Sequence, residues 1–267
     1  MKHLKVFESF SEIDSICRKL DIKNWTQNPD DTIDVDGNVY INGIGLKELP
    51  LKFGKVSGNF SCSFNKLTTL DGGPSIVGGY FYCHFNKLTS LEGSPKEVSG
   101  DFVCHDNKLT NLEGCPREVG GNFLCEDNNL TNLDGGPKEV GGDFHCGRNN
   151  LRKLDGAPIR VGGDFLCESN KLETLEGGPK EVGGSFYCYV NKLTTLEGAP
   201  RDLGGNFYCD NNPIYAIYKL FPDWKSYLES LDYNYLRGTD IVKSRFKEAL
   251  EEMGGELPDR IKGYKYI

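Results

Sequence analysis

Along most of the chain the apolar positions recur with a period of 21 residues, longer than any single helix or strand repeat. Phenylalanine stands at Phe60, Phe81, Phe102, Phe123, Phe144, Phe165, Phe186 and Phe207, with a cysteine two places after each, from Cys62 to Cys209. An asparagine follows three places further on, from Asn65 to Asn212, and then leucines such as Leu67 and Leu70, a glycine, a proline and a valine. Each unit reads F-x-C-x-x-N-x-L-x-x-L-x-G-x-P-x-x-V-G-G-x. Phe and Cys, two apart, point to one side of a short strand, the interior. Pro and the paired glycines forbid a regular helix on the return side. A unit this small cannot close its own apolar face, so neighbours must stack at ~4.8 Å per strand into a body ~40 Å long. The pattern predicts an α/β-type repeat solenoid with short parallel strands, a mostly non-helical return side and helical caps at both ends.

The solenoid is expected over residues 36–212 as nine coils, the first a degenerate turn holding Val39, Ile41, Leu46, Leu49 and Val56. Residues 1–35 and 213–267 are expected to cap its open ends. In the first, Ser11 is placed to N-cap a helix with Ile13, Ile16, Cys17 and Leu20 on one face. In the second, Pro222-Asp223 marks a stop and restart, and Val242, Phe246, Ala249, Leu250 and Met253 form one helical face ended by Gly254-Gly255. The recurrent Asn is read as an interior ladder satisfying turn backbone, and the recurrent Gly as positions of positive φ or tight approach.

The repeat resembles the leucine-rich repeat, L-x-L-x-x-N-x-L, with Phe and Cys in the two strand positions, and its Pro-containing half is similar to the short repeats of secreted bacterial effectors. Asp34-Val35-Asp36-Gly37 before the stack and Asn212-Pro213-Ile214-Tyr215 after it resemble the flanks of uncharacterised repeat proteins of tailed bacteriophages. That second resemblance implies a host or defence protein as the partner and the host cytoplasm as the place of action.

Composition narrows the function. Thirty-one Lys plus Arg against 39 Asp plus Glu leave a charge of −8, which argues against a nucleic-acid surface. No apolar run suffices for a membrane span, and no apolar secretory leader is visible, so a cytoplasmic protein is expected. The ten cysteines fit neither a disulfide framework nor a zinc site, because eight equally stepped thiols face one wall and no C-x-x-C occurs. They are read as small apolar fillers in a reducing compartment.

If Phe and Cys point inward, the residues between and beside them form outward columns. The column before Phe holds Tyr80, Asp101, Asp143 and Asp164, and that between Phe and Cys holds Tyr82, His145, Tyr187 and Tyr208. The column after Cys holds His84, His105, Glu126, Glu168 and Tyr189, and the next holds Phe64, Phe85, Asp106, Asp127 and Arg148. Together the columns contain eight acids against one base, with aromatics toward both ends. These residues are the expected partner-binding set, aimed at a protein with a basic surface. His84, His105 and Glu126 are successive in one column, but parallel neighbours rarely converge on a metal, so no metal or cofactor is expected. Lys96-Glu97 and its equivalents are expected to form a solvated rim. No phosphate loop or Ser-His-acid arrangement stands out, and the C-terminal tail has neither Cys nor His, so no enzymatic activity is expected. Carbohydrate binding by the tyrosines and a structural or assembly role are the competing expectations.

Overall fold

The computed structural model describes residues 12–233, 235–237 and 239–267. Each coil contributes two very short strands, and each set stacks into its own sheet. The Phe sheet has nine strands, from Val39–Tyr40 through Phe60–Ser61 to Phe207–Tyr208, all parallel. Like residues pair with like one coil on, as Phe123 does with Phe144. The return side is a second sheet of ten strands, running from Trp25–Gln27 and Ile33–Val35 through Phe53–Val56 to Asp202–Leu203. Its repeating members place a valine inward, buried at Val77, Val98, Val119, Val140, Val161 and Val182.

Besides the valines, five buried columns line the space between the sheets: the phenylalanines, the cysteines, the asparagines and the two leucines of each coil, Leu67 and Leu70 and their equivalents. The phenylalanines from Phe60 to Phe186 are fully buried, and their rings stack at centroid separations of 5.0 to 5.6 Å. The cysteines lie beside them, free and buried, and desolvation pushes the Cys62 thiol up to about 12 and the next six well above the usual thiol range. Protonated thiols in such a place are fillers rather than nucleophiles. The third column is the asparagines. Asn128 Oδ1 accepts the Leu109 backbone N–H at 3.0 Å, while Nδ2 donates to the carbonyls of Cys104, Cys125 and Glu126 at 3.1–3.2 Å. One amide thereby satisfies turn backbone in two coils.

The paired glycines are required by close approach. A Cβ on Gly141 would strike the Gly120 carbonyl of the preceding coil, and one on Gly142 would strike Asn122 Oδ1. The second contact exposes an order that the sequence disguised. Residues just before Phe form another polar ladder: Asn122 accepts the Asp143 backbone N–H at 2.7 Å, Asp143 accepts that of Asp164 and Asp164 that of Ser185.

Both ends are covered. Helix 12–19 buries Cys17 and packs Ile13 and Ile16 against the core, with Leu20 packing from the turn that follows, while Ser11 lies outside the described residues. The antiparallel pair Trp25–Gln27 with Ile33–Val35 completes that end. At the other end Tyr218 lies 6.2 Å from the last ring, Phe207, and Tyr264 donates to the Thr194 carbonyl at 3.3 Å. Asp223 caps helix Trp224–Ser230 by accepting the Ser226 N–H at 2.8 Å, and helix Lys243–Glu252 buries Phe246, Ala249 and Leu250. A three-stranded sheet of Leu236–Arg237, Asp240–Ile241 and Lys265–Tyr266 joins these helices, so the ends contain strands as well as the expected helices. Among the described residues no helix is long and apolar enough to cross a membrane.

Candidate binding face

The outer side of the Phe sheet carries the variable columns, and the structure divides their residues by duty. Asp101, Asp143 and Asp164 each give Oδ1 to the next coil's backbone, which leaves only part of each carboxylate for a partner. Tyr80 interrupts that ladder. It stacks on Tyr82 at 4.0 Å and donates toward Tyr40 Oη at 3.2 Å, an interaction that with burial pushes the Tyr80 phenol up to about 12.

One coil therefore presents an aromatic strip across the sheet, Tyr80–Tyr82–His84–Phe85, with neighbouring ring centroids at most 5.8 Å apart. Phe64 stacks on Phe85 at 4.8 Å, and His105 stacks on His84 at 4.6 Å with ring planes 17° apart. Imidazoles stacked face to face do not converge on an ion. Their Nδ1 atoms have other partners, Ser63 Oγ at 3.0 Å for His84 and Asp106 Oδ2 at 2.8 Å for His105. Burial first, and then the neighbouring His105, bring the His84 pKa down to about 4, so it is neutral at pH 7. Among the described residues no group of three His, Cys, Asp or Glu side chains is arranged to hold a metal ion.

The centre of the face is a clasp. His145 Nε2 donates to Glu168 Oε1 at 2.9 Å, and its Nδ1 lies 3.5 Å from Glu126 Oε2, so one imidazole bridges acids of the preceding and following coils. Arg148 chelates both oxygens of Asp127 and comes within 3.7 Å of Glu168. Burial is the strongest single influence on Glu168 and raises its pKa, but His145, a backbone hydrogen bond and Arg148 together outweigh it and hold the carboxyl below its ordinary value. Gly147 leaves the room: a Cβ there would strike Glu168 and His145. Glu168, expected on an exposed column, is only 4% exposed. At the far end Tyr187 stacks on Tyr208 at 4.8 Å, with Tyr189 half-buried beside them.

The column two places after Cys has a property that composition did not reveal. All eight residues, Phe64, Phe85, Asp106, Asp127, Arg148, Ser169, Val190 and Asn211, adopt positive φ between 50° and 58°. Asn and Asp tolerate the left-handed region, whereas bulky and β-branched residues are strained there. Phe64, Phe85 and Val190 are nevertheless 57, 43 and 44% exposed, so burial does not explain them. Replacing Val190 with Asn is expected to stabilise the protein by about 1 kcal/mol, read as a rise in thermal midpoint. An unchanged or lowered midpoint would show that the strain is negligible.

The return sheet has a feature of its own. A groove of about 1230 Å³ runs along it from Lys96 to Gly204, lined by Val98-Ser99, the Val-Gly pairs of the next four coils and Leu203-Gly204. Its charges stand in rows, and Arg160 sits between Glu139 and Glu181 at 3.9 and 3.1 Å. The charge pairs were expected as a solvated rim. They line a groove because the return strands form a sheet of their own.

Parallel strands in one-to-one register, paired buried leucines and a buried Asn column bonded to turn backbone define a leucine-rich-repeat solenoid with strands on both sides of each coil. No protein-family profile matches the chain, and no curated protein matches it. Among solved structures it is similar to YopM from Yersinia enterocolitica WA-314, with 19% identity and a TM-score of 0.36 over 66% of this chain. The match spans 47% of that protein, about half its length.

Proposed function

We propose that this chain is a non-catalytic protein–protein interaction module that binds a partner with a basic surface through the outer side of its Phe sheet. Solenoids present aligned columns of side chains over an extended surface, which suits them to such contacts. The observation that carries the reading is the exposure of Phe64, Phe85 and Val190 at left-handed backbone positions. The partial packing of Phe64 and Phe85 on one another and on the histidines does not require so much exposed apolar surface in a strained conformation, whereas a contact surface would. The acid excess of the columns supports a basic partner, with Asp106 and the outer carboxylate oxygens of Asp143 and Asp164 contributing, that of Asp101 accepting from Tyr82 Oη at 3.4 Å, and Tyr187, Tyr189 and Tyr208 offering a second aromatic contact. Residues 1–35 and 213–267 serve as caps in this reading. The resemblance of the flanks to phage proteins extends it to a host or defence protein, met in the host cytoplasm.

The test is affinity capture from a bacterial lysate with the wild-type chain and with a chain exchanged at Tyr82, Tyr187 and Asp127. Loss of a specifically captured protein in the exchanged chain, and weaker capture as salt rises, are expected. Equal capture by both chains would overturn the reading, and release by free sugars at any salt would favour carbohydrate binding instead.

A further inference from the structure

The left-handed column contains one internal ion pair that shows what it accepts. Arg148 reaches back one coil and lays its guanidinium on Asp127, with Nε 2.8 Å from both carboxylate oxygens and Nη2 2.7 Å from Oδ2. Asp106 occupies the same position one coil earlier, with the same backbone conformation and an equally exposed side chain at 37%. Its column neighbours are Phe85 on one side and Asp127 on the other, so no arginine of this column lies next to it. Its Oδ2 takes the His105 Nδ1 at 2.8 Å. Phe64 stacks on one face of the Phe85 ring and His105 meets that ring at 83° and 5.4 Å, while the next residue of the column, Asp106, has no ring to continue the stack. An exposed aromatic ring beside a carboxylate suits a planar cation, which stacks on the ring and bonds the acid together.

The geometry points to a receptor for one arginine side chain of the partner, with its guanidinium on the Phe85 ring and paired to Asp106. Phe64 backs the Phe85 ring, and His105 holds the carboxylate from the other side. The inference rests on the proposed basic partner and names the group by which that partner is held. Arginine is favoured over lysine because a guanidinium is flat, less strongly hydrated and able to bond a carboxylate twice.

The test titrates the full chain with acetyl-Gly-Arg-Gly-amide and with its lysine and citrulline counterparts, following the ring resonances of Phe64 and Phe85 by NMR. The arginine peptide is expected to give saturable shifts on both rings. The lysine peptide should bind about fivefold more weakly or worse, and the uncharged citrulline peptide should give no saturable shift. Asp106→Asn, which keeps a side chain at home in the left-handed region, should weaken the arginine peptide by about fivefold or more while the rest of the spectrum stays in place. Phe85→Asn should abolish the effect on Phe64. Shifts that do not saturate, equal shifts with citrulline, or affinity unchanged in Asp106→Asn would overturn the receptor. If the peptide fails while exchange of Tyr82, Tyr187 and Asp127 still abolishes capture, the receptor is wrong and the interaction face stands. If the peptide binds but capture is unaffected by that exchange, the receptor stands and the wider reading falls.

Discussion

Asn128→Ala is expected to destabilise the protein by about 3 kcal/mol, although it removes only one small side chain. The substitution deletes four hydrogen bonds at once. The losses are unequal. The Cys104 and Cys125 carbonyls keep a second donor, since Asn107 and Asn149 also reach them at 3.0 and 3.1 Å. The Leu109 backbone N–H has no such reserve, and it lies beside a fully buried side chain. A buried donor without a partner carries its whole desolvation penalty, and a vacated polar space adds to it. Because stacked coils couple mainly to their neighbours, the damage should stay local: amide exchange in the coils holding Leu109 and Asn128 should accelerate most, alongside the fall in the denaturation midpoint. A midpoint lowered by less than about 1 kcal/mol would mean that water replaces the amide and that the ladder is dispensable.

Phe144→Ala should have a similar or larger effect, about 3–5 kcal/mol, for a different reason. Its ring is fully buried and lies between Phe123 at 5.4 Å and Phe165 at 5.3 Å. Removing it leaves a void in a one-dimensional stack, where both neighbouring rings lose a face and the sheet hydrogen bonds on either side resist collapse. Phe144→Leu should recover much of the loss by refilling volume, remaining within about 1.5 kcal/mol of wild type. Chemical denaturation of the three proteins distinguishes packing from ring stacking. If Leu is as damaging as Ala, the contribution belongs to the stacked aromatic faces rather than to filled space.

The two substitutions probe columns that could be read without coordinates. A position recurring every 21 residues meets its own kind in the next coil, so an invariant Phe had to form a ring stack and an invariant Asn an amide ladder. The residues of the candidate face were harder to place. Asn122, Asp143, Asp164 and Ser185 looked like a variable exposed column because their side chains differ, yet all accept the same backbone N–H through one oxygen. The paired glycines carried the missing signal, since the second glycine is vacant to admit that oxygen. Gly147 was a similar clue: a lone glycine in a column of larger residues marks where Glu168 and His145 close together.

The left-handed conformation of the column after the strand left less trace, because Phe64, Phe85 and Val190 are poor witnesses to a turn that Asp106, Asp127 and Asn211 would suggest. The return sheet was also missed. Pro with Gly-Gly indicated an extended or turn-like return side, but two-residue strands are too short for alternation to show that they pair into a sheet.

What the sequence alone determined was the coil, its length and its buried columns, because a strict period makes every rung's environment a copy of its neighbour's. Tertiary structure decided which polar residues hold the stack together and which remain for a partner. That division depends mostly on contacts between neighbouring coils, 19 to 24 positions apart in the chain, which decide whether a carboxylate meets a backbone N–H, an imidazole or open solvent.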